Sequence, residues 1–148
     1  MILSNETWIR TTPQQIVDFF EEMESNYTRW HPDHRRFKWL EGRGIREGVV
    51  FEIEEEIRGK LQKKRLVYTR VINGHHMEFA PASKLARLVL PRIIFKIIPD
   101  RDGCRLVQEI HIRIGPVGAW LNRKEFYAVR QHMKEEGEYL KKLLEQGR

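Results

Sequence analysis

The segment Asn122-Arg-Lys-Glu-Phe-Tyr-Ala-Val-Arg-Gln-His-Met-Lys-Glu-Glu-Gly-Glu-Tyr-Leu-Lys-Lys-Leu-Leu-Glu-Gln146 decides the architecture. At ~100° per residue, Leu121, Phe126, Val129, Met133, Tyr139, Leu140, Leu143 and Leu144 collect in one apolar arc about 140° wide, the pattern of a long helix laid on a core. Arg130, Gln131, Lys134, Glu135, Glu138, Lys141 and Lys142 take the opposite side. Two ionisable residues break this division: His132 and Glu136 project into the middle of the apolar arc. Four apart on a helix, they stack with Cβ atoms roughly 6 Å from each other. Such a pair either grips one metal ion or serves as a hydrogen-bonded structural unit.

The rest of the chain gives that helix something to cover. At 148 residues it forms one domain, large enough to bury a core without disulfides, and the single Cys104 has no internal partner for one. Met1 to Trp8 lacks a basic region followed by an apolar one, so a cytoplasmic location is expected. The most apolar run, Leu85 to Ile98, is interrupted by Arg87, Pro91, Arg92 and Lys96, which argues against a membrane span. The net charge of +6 raises the question of nucleic acid, with Lys60, Lys63, Lys64, Arg65 and Arg29, Arg35, Arg36, Lys38 as possible patches. Acidic residues are interleaved almost everywhere else and no nucleic-acid motif is present. These charges read as solvated faces, with no nucleic-acid partner, and their milder use is attraction of anionic small molecules.

Taken in order, residues 2–10 alternate weakly and predict a first strand. Thr12-Pro13-Gln14-Gln15 combines an N-cap, a proline at the first helical position and a glutamine three residues on, so a helix starts here, with Ile16, Val17, Phe19, Phe20 and Met23 as its apolar face. It is expected to end by Ser25-Asn26. The connector Tyr27-Thr-Arg-Trp-His31-Pro-Asp-His34 is broken by Pro32 yet holds two aromatic residues and two histidines. That density points either to function carried on a loop or to a plug for the core, with His34 or His31 as a candidate ligand.

From Phe37 the period becomes two. After the short strand Phe37 to Leu40, the strand Val49 to Ile57 places Val49, Phe51, Ile53, Glu55 and Ile57 on one face. Glu55 therefore points inward, where an ionised carboxylate must be paired, protonated or bound to a cation. Lys60 to Val71 follows, with Leu61, Leu66, Tyr68 and Arg70 as its alternating set, and Asn73-Gly74 turns into His75 to Phe79. Pro81 to Leu90 fits either a turn and a half of helix or an irregular cover. Arg92 to Ile98 and Cys104 to Gly115 form a last hairpin, in which Gln108 faces inward beside Leu106 and Ile110, and Gly115 to Gly118 leads into the long helix. The order is strand, helix, connector, about six antiparallel strands, helix: an α+β domain.

This order resembles the helix-grip fold of the START and plant pollen-allergen superfamily (SRPBCC), which includes polyketide cyclases. The resemblance covers essentially the whole chain. It implies a cavity between sheet and helix for a hydrophobic or aromatic small molecule, in members that include both enzymes and carriers. A narrower resemblance rests on His132-Met-Lys-Glu-Glu136, on His34 within Trp30-His-Pro-Asp-His, and on the inward Glu55. The diacetylphloroglucinol and phloretin hydrolases hold zinc in this fold with a His, a Glu from the sheet region and a helical His-x-x-x-Glu pair. The resemblance implies a metal site of His34, Glu55, His132 and Glu136, with His31, Glu54 or Glu56 as substitutes. It suits Zn²⁺ first, with Mn²⁺, Fe²⁺ or Co²⁺ as alternatives. Tyr27, His31 and Tyr68 are candidate proton donors of a metal-dependent hydrolase acting on an aromatic ketone or polyketide-like molecule. The alternative is a non-enzymatic carrier for a lipid or aromatic ligand.

Overall fold

The computed structural model describes residues 1–146 of the single domain expected over 1–148. Strand β1 runs Ile2–Ile9, and helix α1 runs Pro13–Glu21. The capping box is present as the sequence implies: the Gln15 N–H donates to the Thr12 hydroxyl, and the Thr12 N–H donates back to the Gln15 side chain.

The irregular connector expected after Ser25-Asn26 is instead a second helix. Glu22, with φ −101° and ψ 38°, interrupts the chain for one residue, and α2 then runs Met23–Trp30 with Met23, Tyr27 and Trp30 buried along one side. Pro32 does stop this helix, but at its neighbour. His31 is extended, φ −144° and ψ 139°, because proline excludes the helical region from the residue before it. Tyr27 thus hangs from a regular helix and His34 opens a strand.

Six strands follow: β2 His34–Glu41, β3 Val50–Ile57, β4 Lys60–Ile72, β5 His76–Pro81, β6 Arg92–Asp100 and β7 Gly103–His111. They join β1 in one antiparallel sheet of order β1-β7-β6-β5-β4-β3-β2. The Pro81–Leu90 stretch contains a single 3-10 turn, Ala86–Leu88. In β4 the inward set is Lys64, Leu66 and Tyr68; Leu61 has the opposite parity and is exposed. A register shift after Tyr68 sends Arg70 outward, 4.0 Å from Glu78.

The lead into the long helix is itself helical, α3 at Pro116–Leu121, and α4 runs Arg123–Gln146. Leu121 consequently belongs to α3 and is exposed, as Tyr139 partly is, whereas His132, Met133, Gly137 and Leu140 are buried. Helix α4 touches both β1, at one edge of the sheet, and β3, one strand from the other edge. In a flat sheet those strands would lie about 24 Å apart at ~4.8 Å per step. A helix is only ~10 Å across. The sheet therefore curls around α4, which is the helix-grip arrangement. Among the described residues, no helix is long and apolar enough to cross a membrane.

Aromatic rings from α1, α2 and the sheet fill much of the space inside the grip, including Phe20 against Trp30 at 5.5 Å and Phe79 against Phe95 at 5.4 Å. What they leave is a cavity of about 140 Å³ bounded by Phe51, Phe79, Phe95 and Met133, with Glu55, His132 and Glu136 among its few polar walls.

Candidate metal centre and ligand cavity

The sheet supplies half of the site. His34 and Glu55 are directly opposed across β2 and β3, so their side chains share a face. Glu54 and Glu56 pair instead with Arg36 and Arg35, on the other face. Helix α4 supplies the second half, because one helical turn stacks His132 and Glu136 on the side it presents to the cavity.

The four side chains converge. Glu136 Oε2 lies 2.8 Å from His34 Nε2 and 3.3 Å from His132 Nε2, and Glu55 Oε2 lies 3.6 Å from His132 Nε2. One donor atom from each residue lies within 4.8 Å of those of the other three. The edge of a tetrahedron with arms of ~2.1 Å is about 3.4 Å, so these spacings suit a small divalent ion.

The surroundings fix how each group points. His34 Nδ1 donates to the Tyr27 carbonyl at 2.9 Å, which fixes the ring so that Nε2 faces Glu136 Oε2. His34 also stacks on Tyr27 with centroids 3.9 Å apart. Gln108 Nε2 donates to Glu136 Oε1 at 3.1 Å and is held in turn by Asn5 at 3.2 Å. Lys64 Nζ donates to Glu55 Oε1 at 2.9 Å and the Tyr27 hydroxyl to Glu55 Oε2 at 3.1 Å. His132 Nε2 is buried and no hydrogen bond reaches it, despite two nearby carboxylates. Two imidazole nitrogens and two carboxylates thus converge on one point, with His132 Nε2 buried between the carboxylates. The donor set fits a divalent cation.

Without a metal the cluster holds together as ion pairs. Burial pushes Glu136 up, but His132 and His34 outweigh it and hold the carboxyl at about 2. Burial also raises Glu55, and His132 with Lys64 outweigh it, leaving this carboxyl well below its usual range. Burial lowers His132, yet Glu136 and Glu55 lift it to about 10. The proton on His132 occupies the electrostatic role that a metal ion would take.

The three candidate proton donors separate. Tyr27 sits in the cluster, and burial, then Glu55 and Glu136, push its phenol far above the ordinary value, so it donates rather than ionises. Tyr68 lines the cavity, but it stands four residues beyond Lys64 along β4, roughly 13 Å away at the strand rise. His31 is not among the cavity-lining residues: its Nδ1 accepts from the Asp33 N–H and its Nε2 pairs with Glu135 at 2.9 Å. Its ring lies 4.5 Å from that of His132 and buttresses it. His31, Asp33, His132 and Glu135 form a second cluster of metal-ligand types, in which His31 already has both nitrogens engaged.

Two contributors escaped the sequence reading. Lys64 was visible in the inward parity of Leu66 and Tyr68, two and four residues further on. Asn5 offered no signal, since its role depends on pairing opposite Gln108 across β1 and β7.

No family model matches the chain, and no curated protein matches it in sequence. Solved structures match in shape. The protein TTHA0849 from Thermus thermophilus superposes with a TM-score of 0.76 at 12% identity, over 99% of each chain. A START superfamily protein from Mycobacterium smegmatis gives 0.73 at 13% identity, again over 99% of each. The di-domain ARO/CYC protein BexL of the BE-7585A biosynthetic pathway gives 0.75 at 11% identity, over 98% of this chain and 50% of its own. At such identities the likeness is one of fold, and it is the helix-grip fold.

Proposed function

We propose that this protein is a metal-dependent hydrolase for a small aromatic ketone or polyketide-like molecule bound in the internal cavity. The observation that carries the reading is the convergence of His34, Glu55, His132 and Glu136 at the wall of an aromatic-lined cavity, with His132 Nε2 buried between the two carboxylates. These four would hold the ion, and a divalent metal there supplies polarisation of a carbonyl and acidification of water toward a pKa of about 7.

The remaining steps belong to the chain. Phe51, Phe79, Phe95 and Met133 bind the ring of the substrate and exclude bulk water. Tyr27, held as a phenol, offers a hydrogen bond to a developing oxyanion. Lys64 supplies positive charge at the same wall and favours a substrate with an acidic hydroxyl.

Metal analysis after purification without chelator, and melts of wild type and Glu55→Gln with and without zinc, test this. At zinc about 100-fold above Kd the wild type gains ~2.7 kcal/mol, roughly 5–10 °C in Tm, and the variant much less. A protein that neither carries nor responds to metal returns the four residues to architecture.

The second reading, a carrier without chemistry, is favoured by one observation. Lys64 and Tyr27 already satisfy Glu55, and Gln108 satisfies Glu136, without any ion. A carrier predicts ligand affinity that His132→Ala leaves nearly unchanged.

A further inference from the structure

Two loop segments meet at one end of the cavity, and neither contains a carboxylate. The first joins β5 to β6 and the second joins β7 to α4. The Arg113 N–H donates to the Val89 carbonyl at 2.7 Å and ties them together. Each borders a cavity-lining residue, Ile93 or Ile110, and these two are cross-strand partners. The tips of both segments expose large apolar side chains: Leu85 is 76% exposed, Val117 73% and Trp120 63%, with Leu88, Val89 and Leu121 also exposed.

Within the two segments themselves every charge is positive. From Phe79 to Pro99 and from Ile110 to Lys124 there is no Asp or Glu, although the chain has 21 of them. The same stretches carry Lys84, Arg87, Arg92, Lys96, Arg113, Arg123 and Lys124; Arg92 and Lys96 pair with Glu78 and Glu109 on the sheet, and the Arg123 guanidinium lies 4.3 Å over the Trp120 ring. A second copy of the chain would bring the same cations face to face. An anionic bilayer instead offers acyl chains to the leucines and valines, an interfacial layer to the tryptophan, and lipid phosphates to the cations.

We infer that this face docks reversibly on an anionic lipid surface, with the Ile93–Ile110 end of the cavity turned toward the bilayer. An apolar molecule dissolved in the membrane then reaches the cavity without crossing water. The net charge of +6 steers the approach. The docking depends on the loops alone and stands whether or not the metal reading does.

Vesicle flotation tests it. The wild type floats with vesicles of phosphatidylcholine containing roughly a third phosphatidylglycerol, does not float with pure phosphatidylcholine, and is released when salt rises from about 0.1 to about 0.5 M. Leu88→Asp with Trp120→Asp lowers the bound fraction at least about tenfold, and so does Arg87→Glu with Arg123→Glu. Leu88, Trp120 and Arg123 are exposed and Arg87 is half-exposed, and an unchanged Tm verifies folding of each variant. Glu55→Gln floats like the wild type, which separates this result from the fate of the metal centre. Wild type that ignores the anionic vesicles, or apolar-patch variants that float undiminished, overturn the inference. Dimerisation that Trp120→Asp abolishes, in a protein that does not float, also overturns it and assigns the patch to a second copy.

Discussion

His132 carries the conflict on which the site turns, because it is buried between two carboxylates and keeps a proton that a metal ion would displace. The pH dependence of the metal-free protein follows from this. Glu136 is held at about 2 against an ordinary 4.5, so its contribution to stability is present above about 4.5 and is lost as pH falls toward 2. His132 is lifted to about 10 against 6.5, so its contribution is complete below 6.5 and is lost as pH rises toward 10. His31, lowered by burial, has the opposite sign and costs stability as pH falls below 6.5. The difference in Tm between wild type and His132→Asn isolates one group, and it shrinks steadily between pH 6.5 and 10. Zinc reverses the trend: its stabilising effect grows over the same interval because fewer protons compete for the ligand. A zinc effect independent of pH would remove His132 from the ligand set. Tyr27→Phe should keep metal content and lose about a hundredfold in turnover of an aromatic ketone, the usual effect of removing a hydrogen-bond donor to an oxyanion.

The helix and the strands position these residues through a close approach of α4 to β1 at Gly137. Gly137 follows Glu136 on α4, and a Cβ placed there would fall inside contact distance of the Thr7 hydroxyl and 3.0 Å from Asn5 Nδ2. Gly137→Ala ordinarily favours a helix by about 1 kcal/mol. Here the helix must lift off β1 instead, at a cost of roughly 1–3 kcal/mol, and Glu136 moves with it. The expected outcome is a lower Tm together with weaker zinc binding, read by calorimetry; an unchanged zinc affinity would show that the helix does not set the ligand spacing. Much of this level was legible in the sequence. The arc of α4 broken by His132 and Glu136, the parity of Glu55 and the capping box at Thr12 are local patterns, and local patterns survive folding. What stayed hidden depends on register or on a boundary. Lys64 is masked because the apolar Leu61 has the opposite parity to Leu66 and Tyr68, and α2 because Pro32 stops that helix only at His31.

The molecule as a whole sets the size of what it can bind. A curled seven-stranded sheet closed by one helix would leave a wide interior, but the aromatic residues of α1, α2 and β3 to β6 fill it until about 140 Å³ remains. An apolar cavity of ~150 Å³ is the size that takes up benzene, so one ring with short substituents fits and two fused rings do not. Phe79 stands midway along the cavity wall, packed on Phe51 at 5.9 Å and Phe95 at 5.4 Å. Phe79→Ala removes a ring from that wall and destabilises the protein by roughly 3–5 kcal/mol, the usual cost of truncating a packed aromatic. In return it makes room for a second ring. Thermal shifts with a matched pair of one-ring and two-ring aromatic ketones read the outcome: the wild type is stabilised by the one-ring compound alone, and Phe79→Ala by both. If the wild type accepts the two-ring compound equally well, the grip between α4 and the sheet opens on binding, and it is the opening rather than the packed volume that selects the ligand.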